Sequence, residues 1–404
     1  MVLPTDPSAA KFTFSMLIND KRYRGYTFQF TALIILIFAM AYLGWNLTQN
    51  LTAKGLNISY QFLKVPAGYD INQRLIEYTS QSTHLRASMV GVLNTLLVAF
   101  LGCIMATVIG VFAGILRLSN NWIVAKLMAI YVEVFRNVPV LIWILIVSGI
   151  FIVALPQPRS FRGGNPEATM LWDAFAFTGR GIYAPKPIFN EGSSFVIVTF
   201  LLSLAAIFAY RRYARNKLYA EGVPLPTRWP SITLFFIPAI IVFFAAGSPI
   251  GMEYPELKGF NFKGGIWARG SLIALCFALS IYTGAFIAEN VRAGIQAISK
   301  GQTEAAAALG MRPSFVMNLV ILPQALRVII PPLISQYLNL TKNSSLAIAV
   351  GYMDITGTLG GITLNQTGRA IEIVLLLMLF YLIISLSISA VMNVYNNSIK
   401  LKER

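Results

Sequence analysis

Histidine is almost absent from this 404-residue sequence, with His84 its single example, and only two cysteines occur. Cys103 and Cys276 each lie inside an apolar run, so no disulfide framework or metal-ligand spacing can be built from them. His84 sits in a polar stretch and reads as a solvated side chain. Metal catalysis finds no support in this set. Charge is scarce too: 12% of residues are charged, against about 25% in soluble proteins. Acids are the scarcest, 16 against 32 Lys and Arg. A membrane-embedded enzyme needs paired carboxylates, a nucleophile with a base, or a metal cluster. The nearest approach is Asp354 and Glu372, eighteen apart with a glycine-rich turn between them. No Gly-x4-Gly-Lys-Ser/Thr phosphate loop occurs, so nucleotide binding through that motif is excluded.

Hydrophobic residues are abundant, at 56%. They cluster into eight runs of bilayer-spanning size, about 17–29 residues each. The runs lie near Phe28–Trp45, Ser88–Leu116, Val138–Leu155, Ser194–Tyr210, Ser231–Gly247, Ser271–Ala288, Val328–Leu346 and Ile371–Met392. The first reads as a retained helix, because no small-residue cleavage pattern follows it. The net charge of +16 resides in short loops between the runs, where a membrane protein carries its orientation signal. A nucleic-acid partner would instead require a basic face on a soluble module. Lys21, Arg22 and Arg24 before the first run, and Arg211, Arg212, Arg215 and Lys217 after the fourth, assign both termini to the cytoplasm. Two outside loops, 47–87 and 156–193, show no convincing alternation and read as small exterior caps. No long internal repeat is visible.

The most informative stretch follows the sixth run: Gly301-Gln302-Thr303-Glu304-Ala305-Ala306-Ala307-Ala308-Leu309-Gly310. Thr303 is suited to cap a short helix and Gly310 to end it in the left-handed conformation. About two turns of helix are marginal alone in water and require a surface to dock on. Alanines at 305, 306 and 308 let that surface approach closely, and Glu304 offers a charge at the helix start. From Glu304-Ala305-Ala306 there are three residues to Gly310, then nine to Val320, then Leu322-Pro323.

This pattern resembles the EAA loop of binding-protein-dependent ABC permeases, with Val320 where that family usually has Ile. Further stretches resemble its polar amino-acid branch, the permeases of histidine and glutamine importers. They are Gly91–Leu96 continuing to Gly114 and Arg117-Leu118-Ser119, Tyr131–Pro139, Ala288–Gly294 and Leu340–Leu346. Together they cover about half the chain, in order. The resemblance implies an all-α polytopic membrane protein, about eight transmembrane helices with a five-helix ABC importer core. Its size is similar to that of the larger permeases of general L-amino-acid importers. The implied division is a cytoplasmic segment 1–27, an extra helix and periplasmic loop 28–87, core 88–155, an insertion with two further helices 156–269, core 270–392 and a cytoplasmic tail 393–404.

The resemblance also implies a function and its partners. The chain is expected to be the permease subunit of a bacterial inner-membrane importer of polar L-amino acids, not itself an enzyme. A separate ATPase is expected to bind ATP and Mg, with no cofactor in this chain. Gln302, Glu304, Ala305, Ala306 and Gly310 are the expected ATPase-coupling residues. Further expected partners are a second related permease subunit, a periplasmic amino-acid-binding protein, the lipid bilayer and the substrate. An ion-coupled secondary amino-acid transporter is the alternative, and the EAA spacing argues against it.

Two further sets of residues have physical readings of their own. Glu133 and Arg136, like Glu289 and Arg292, are three apart and can meet on a helix surface. Such pairs are either ordinary local ion pairs, worth a few tenths of a kcal/mol, or braces for a gate or for the ATPase contact. Asn339, Lys342, Asn343, Ser344 and Ser345 interrupt an apolar run near membrane depth and are candidates for the substrate pathway. A charge exposed to hydrocarbon there costs about 2.5–3.5 kcal/mol or more. Lys342 therefore either attracts a carboxylate or snorkels to the headgroups. Pro331-Pro332 is expected to break or kink the helix just before this stretch.

Overall fold

The computed structural model describes residues 14–55, 57–162 and 167–399. The fold divides after Phe62 into two units. The first holds α1 (Met16–Asn19) and α2 (Lys21–Ala53). Thirty-three helical residues span about 50 Å, more than the roughly 30 Å hydrocarbon core. Tyr23 and Tyr26 lie near one end of α2, and Tyr42 and Trp45 near the other, where amphipathic rings suit the headgroup level.

The second unit carries α3 (His84–Leu116), α4 (Trp122–Asn137), α5 (Val140–Ala154), α6 (Ser193–Glu221), α7 (Arg228–Ala245), α8 (Gly270–Gln296), α9 (Lys300–Ala308), α10 (Pro313–Phe315), α11 (Leu322–Asn343), α12 (Leu364–Thr367) and α13 (Ala370–Ile399). Counting α2, the chain has 8 helices long and apolar enough to cross a membrane among the described residues. Their outward faces are hydrophobic, with Phe100, Phe112, Leu145 and Leu379 all exposed. Such faces are stable only against lipid or another apolar surface.

α8 is the axis of the bundle, packed against α3, α4, α5 and α11, while α13 packs on α11. Leu275, Ala278, Leu279, Ser280 and Ala288 of α8 are all 0% exposed. Its closest neighbour, α3, reaches it through small residues. A Cβ at Gly110 would lie 2.5 Å from Ile287 Cβ, and one at Gly114 would lie 2.7 Å from the Ala288 carbonyl oxygen. With little hydrophobic drive between helices in lipid, this close backbone approach is what holds them together.

α6 and α7 pack mainly on each other, and short strands on either side join this hairpin to the bundle. β1 (Ala176–Thr178), β2 (Gly181–Ala184) and β7 (Ile266–Arg269) form an antiparallel sheet in the order β1-β2-β7. β3 (Lys186–Phe189) pairs with β4 (Ile250–Glu253), closing the chain around the α6–α7 hairpin, and β5 (Glu256–Lys258) pairs with β6 (Asn261–Lys263). This cap has its own aromatic core, in which Tyr183 is 1% and Phe262 5% exposed. The 156–193 loop, where no alternation was legible, thus holds three strands, and the other four lie in 250–269. Each strand has only three or four residues, too few for alternation to register.

Four other expectations are corrected. His84 is not solvated: it is 3% exposed, at the first residue of α3, with Nδ1 3.0 Å from Thr363 Oγ1. α6 continues past Tyr210 to Glu221, ending at Gly222 (φ 70°). The arginine cluster therefore rides on helix rather than loop. The helix is not broken at Pro331 and Pro332, both of which lie inside α11. It changes form instead at Ser344, where a tighter 3₁₀ stretch runs to Val350.

Candidate functional site

The 300–310 segment forms α9, but the helix starts one turn earlier than Thr303. Ser299 occupies the capping position in extended conformation (φ −63°, ψ 142°), without a side-chain cap bond. Thr303 lies within the helix, where its hydroxyl cannot cap the start. The stop is as expected: Gly310 has φ 74°. Its N–H donates to the Ala307 carbonyl at 2.9 Å, and the Met311 N–H donates to the Ala306 carbonyl at 3.3 Å. These two bonds make a Schellman stop.

α9 is held to its own chain by little. Ala306 is its one buried residue, 5% exposed, and Gln302 Oε1 accepts from Gln324 Nε2 at 3.4 Å. Glu304, Ala305 and Gly310 are exposed, and Leu309 is 82% exposed. The chain next widens into a π-helical stretch over Val316–Ile321, just before Leu322-Pro323. A proline lacks the N–H and crowds the turn before it, and a wider turn relieves both.

Near the α9 end of the bundle the two candidate ion pairs differ. Arg292 grips Glu289 with two bonds, Nη2 to Oε1 at 2.6 Å and Nε to Oε2 at 3.2 Å. Glu133 and Arg136 do not pair with each other. Glu133 lies 3.7 Å from Arg117 Nη2, and Arg136 sits over the Phe286 ring, 5.3 Å from its centroid. Arg117, missed as a candidate, also pairs with Glu289 through Nη1. One arginine at the end of α3 thus ties α4 to α8. Its spacing from Glu133 and Glu289 in sequence gave no sign of this.

The polar stretch on α11 separates into two faces. Ser344 is 0% exposed and its hydroxyl donates to the Thr341 carbonyl at 2.7 Å. Ser345 likewise donates to the Lys342 carbonyl at 2.8 Å. Asn343 is half-buried, while Asn339 and Lys342 are exposed. Lys342 and Ser345 line an open cavity of about 430 Å³ with Tyr381, Leu382 and Ser385 of α13.

The sequence pattern of the family described as "Binding-protein-dependent transport system inner membrane component" matches residues 225–401. The glutamate/glutamine/aspartate/asparagine transport system permease protein BztB of Rhodobacter capsulatus is 50% identical over 100% of this chain and 100% of its own. The general L-amino acid transport system permease protein AapQ of Rhizobium johnstonii is 43% identical over 97% of this chain and 96% of its own. This chain belongs to the permease family of amino-acid ABC transporters. A shorter relative, the glutamate/aspartate import permease protein GltJ of Escherichia coli, is 32% identical over 41% of this chain and 67% of its own.

In this permease, several polar groups that were not among the pathway candidates lie near them. Tyr381 approaches Thr356 Oγ1 at 3.0 Å. Asn94, 0% exposed, donates through Nδ2 to the Gln73 and Met353 carbonyls at 2.7 and 2.8 Å. Asp354, also 0% exposed, accepts from the Gly357 N–H at 2.8 Å, while its Oδ2 is buried without a partner. Burial pushes the Asp354 carboxyl up to about 7, since a carboxylate is penalised where water is excluded. A single tyrosine in an apolar run carries no motif, and neither the resemblance of Gly91–Leu96 nor the spacing of Asp354 from Glu372 assigned Asn94 or Asp354 to the pathway. Among the described residues, no group of three or more His, Cys, Asp or Glu is arranged to hold a metal ion.

Proposed function

We propose that this permease is one of two subunits enclosing the pathway of a bacterial inner-membrane importer for polar L-amino acids. Separate ATPase subunits, binding ATP and Mg, seat against α9. The observation that carries the reading is α9 itself. It is a nine-residue helix with one buried side chain and a leucine left 82% exposed at its end. A helix this short gains too little from its own hydrogen bonds to persist unsupported, so its free face fits a docked partner. Closure of the ATPases would then move α9 and bias the bundle between outward- and inward-open states.

The second permease has a similar warrant. Asn339 and Lys342 are exposed on a single chain at a depth where a bare charge costs about 2.5–3.5 kcal/mol or more. A related permease covering that face would enclose Lys342, Ser345 and Tyr381 within the pathway, and we favour a heterodimer. The Glu133, Arg136, Glu289 and Arg292 cluster braces the end nearest α9. Lys and Arg distribution favours a cytoplasmic α9 end and cytoplasmic termini. The cap then faces the periplasm, where a binding protein delivers cargo. Residues 88–155 and 270–392 are the transport core, with 28–87 and 156–269 as additions and 1–27 and 393–404 as cytoplasmic tails. The names of BztB and AapQ support polar amino acids as the cargo class.

The test is uptake into liposomes holding the complete transporter, with binding protein added outside. Uptake is expected to require ATP and to survive collapse of the ion gradients. Uptake that continues without ATP and stops with the gradients would sink the reading.

A further inference from the structure

The cap contains a second polar feature, distinct from the α11–α13 cavity. Arg159, Arg162 and Arg180 line a cavity of about 490 Å³ together with Phe260. Arg180 also lines a neighbouring cavity of about 140 Å³, with Arg269 and the outer ends of α5 and α8. Val350, which ends the 3₁₀ continuation of the α11 polar stretch, lies on this inner cavity. Two concave spaces thus share one arginine and lead from the cap toward the bundle.

Three of these arginines are held in place, and none of the four has a carboxylate within ion-pair distance among the described residues. β2 and β7 pair Gly181 with Arg269, and the Gly270 N–H donates to the Arg180 carbonyl at 3.1 Å, so both arginines lie at the same end of this sheet. The Arg269 guanidinium stacks 4.2 Å from the Trp267 centroid. Trp267 in turn stacks on buried Tyr183 at 5.3 Å with an interplanar angle of 13°. Arg162 sits 5.4 Å from the Phe260 centroid, and Arg180 Nη1 donates to the Phe260 carbonyl at 3.4 Å. Asp70, the one acid acting on Arg269, lies 3.7 Å from Arg74 instead. Arg269 Nε is buried with no partner, and burial pushes the Arg269 pKa down.

Like charges gathered in concave walls repel each other and concentrate anions. The guanidinium fork matches a carboxylate better than any other side chain does. The first turn of α8 opens on the inner cavity at Gly270 and Ser271; the Gly270 N–H is taken by the Arg180 carbonyl at 3.1 Å, so what the helix start adds is the positive end of its dipole. We propose that Arg159, Arg162, Arg180 and Arg269 form a carboxylate-binding vestibule that receives amino acids with acidic side chains on their way into the permease. This rests on the transport reading above and adds a selectivity to it. A net anion gains from the whole cluster, whereas a zwitterion gains at one carboxylate and loses at its ammonium.

The experiment compares labelled glutamate and glutamine in the complete reconstituted transporter. Arg180→Gln with Arg269→Gln is expected to slow glutamate uptake about tenfold, the scale of one charged hydrogen bond. Glutamine uptake is expected to stay within about twofold, and the matching lysine variants to restore glutamate only in part, since an ammonium keeps the charge but loses the planar fork. Arg159→Gln with Arg162→Gln, both exposed, guards against a folding defect and should reduce glutamate uptake less, in the same direction. Equal losses for both cargoes, or no loss, would overturn the vestibule. So would weakened binding-protein docking, or a deficit that follows the anionic-lipid fraction of the liposomes. If the wild-type transporter moves no amino acid, the transport reading fails. Labelled-glutamate binding to the permease in nanodiscs, lost in Arg180→Gln with Arg269→Gln, then decides the site by itself.

Discussion

α8 and α9 are neighbours in the chain and opposites in how they are held. α8 has 27 residues and is enclosed by α3, α4, α5 and α11. α9 has 9 residues and buries one alanine. Most of α8 is buried or half-buried against the same polypeptide, so its position is fixed by this sequence. α9 has a defined start and a Schellman stop but almost no floor beneath it. The difference separates what the chain builds for itself from what it presents to another protein.

The largest expected effect sharpens the first half of that contrast. Gly110→Leu inserts a side chain where even a Cβ would lie 2.5 Å from Ile287 Cβ. Overpacking of this kind costs about 1–3 kcal/mol or more, and here α3 cannot move without leaving α8. The expected result is loss of folded permease from the membrane fraction, read by quantitative blotting.

Glu289→Gln is expected to come next. It leaves Arg117, whose side chain is 16% exposed, and Arg292, at 29%, without their shared carboxylate. Breaking a fully buried pair costs about 3–5 kcal/mol. Partial exposure reduces this to roughly 1–3 kcal/mol, seen as a lower Tm in detergent with insertion retained. The smallest effect is Gly310→Ala. Its φ of 74° makes a side chain cost about 1 kcal/mol, and α9 lies outside the bundle. Uptake is expected to fall severalfold with Tm unchanged. A Tm drop as large as that of Glu289→Gln would remove the distinction between the two helices.

The contrast also explains what was legible in the sequence. Spans long enough to cross a bilayer announce themselves by run length, and all eight were readable to within a few residues at most ends. Gly310 was readable because a left-handed helix stop favours one residue type. The start of α9 was not, because Ser299 caps by backbone conformation rather than by a side-chain bond. The cap strands are too short for a period to emerge. His84 looked solvated because its partner, Thr363, is 279 residues away, and Arg117 escaped notice for the same reason. Long-range polar pairing leaves no mark on local spacing, whereas helix ends and spans do.

The most direct test of the central claim asks whether the free face of α9 is covered by the ATPase. Both native cysteines lie within the spans α3 and α8, so Leu309→Cys supplies a thiol at a position that is 82% exposed. A membrane-impermeant maleimide is expected to label it rapidly in the isolated permease and hardly at all once the ATPase subunits are bound. Equal labelling in both states would contradict the account.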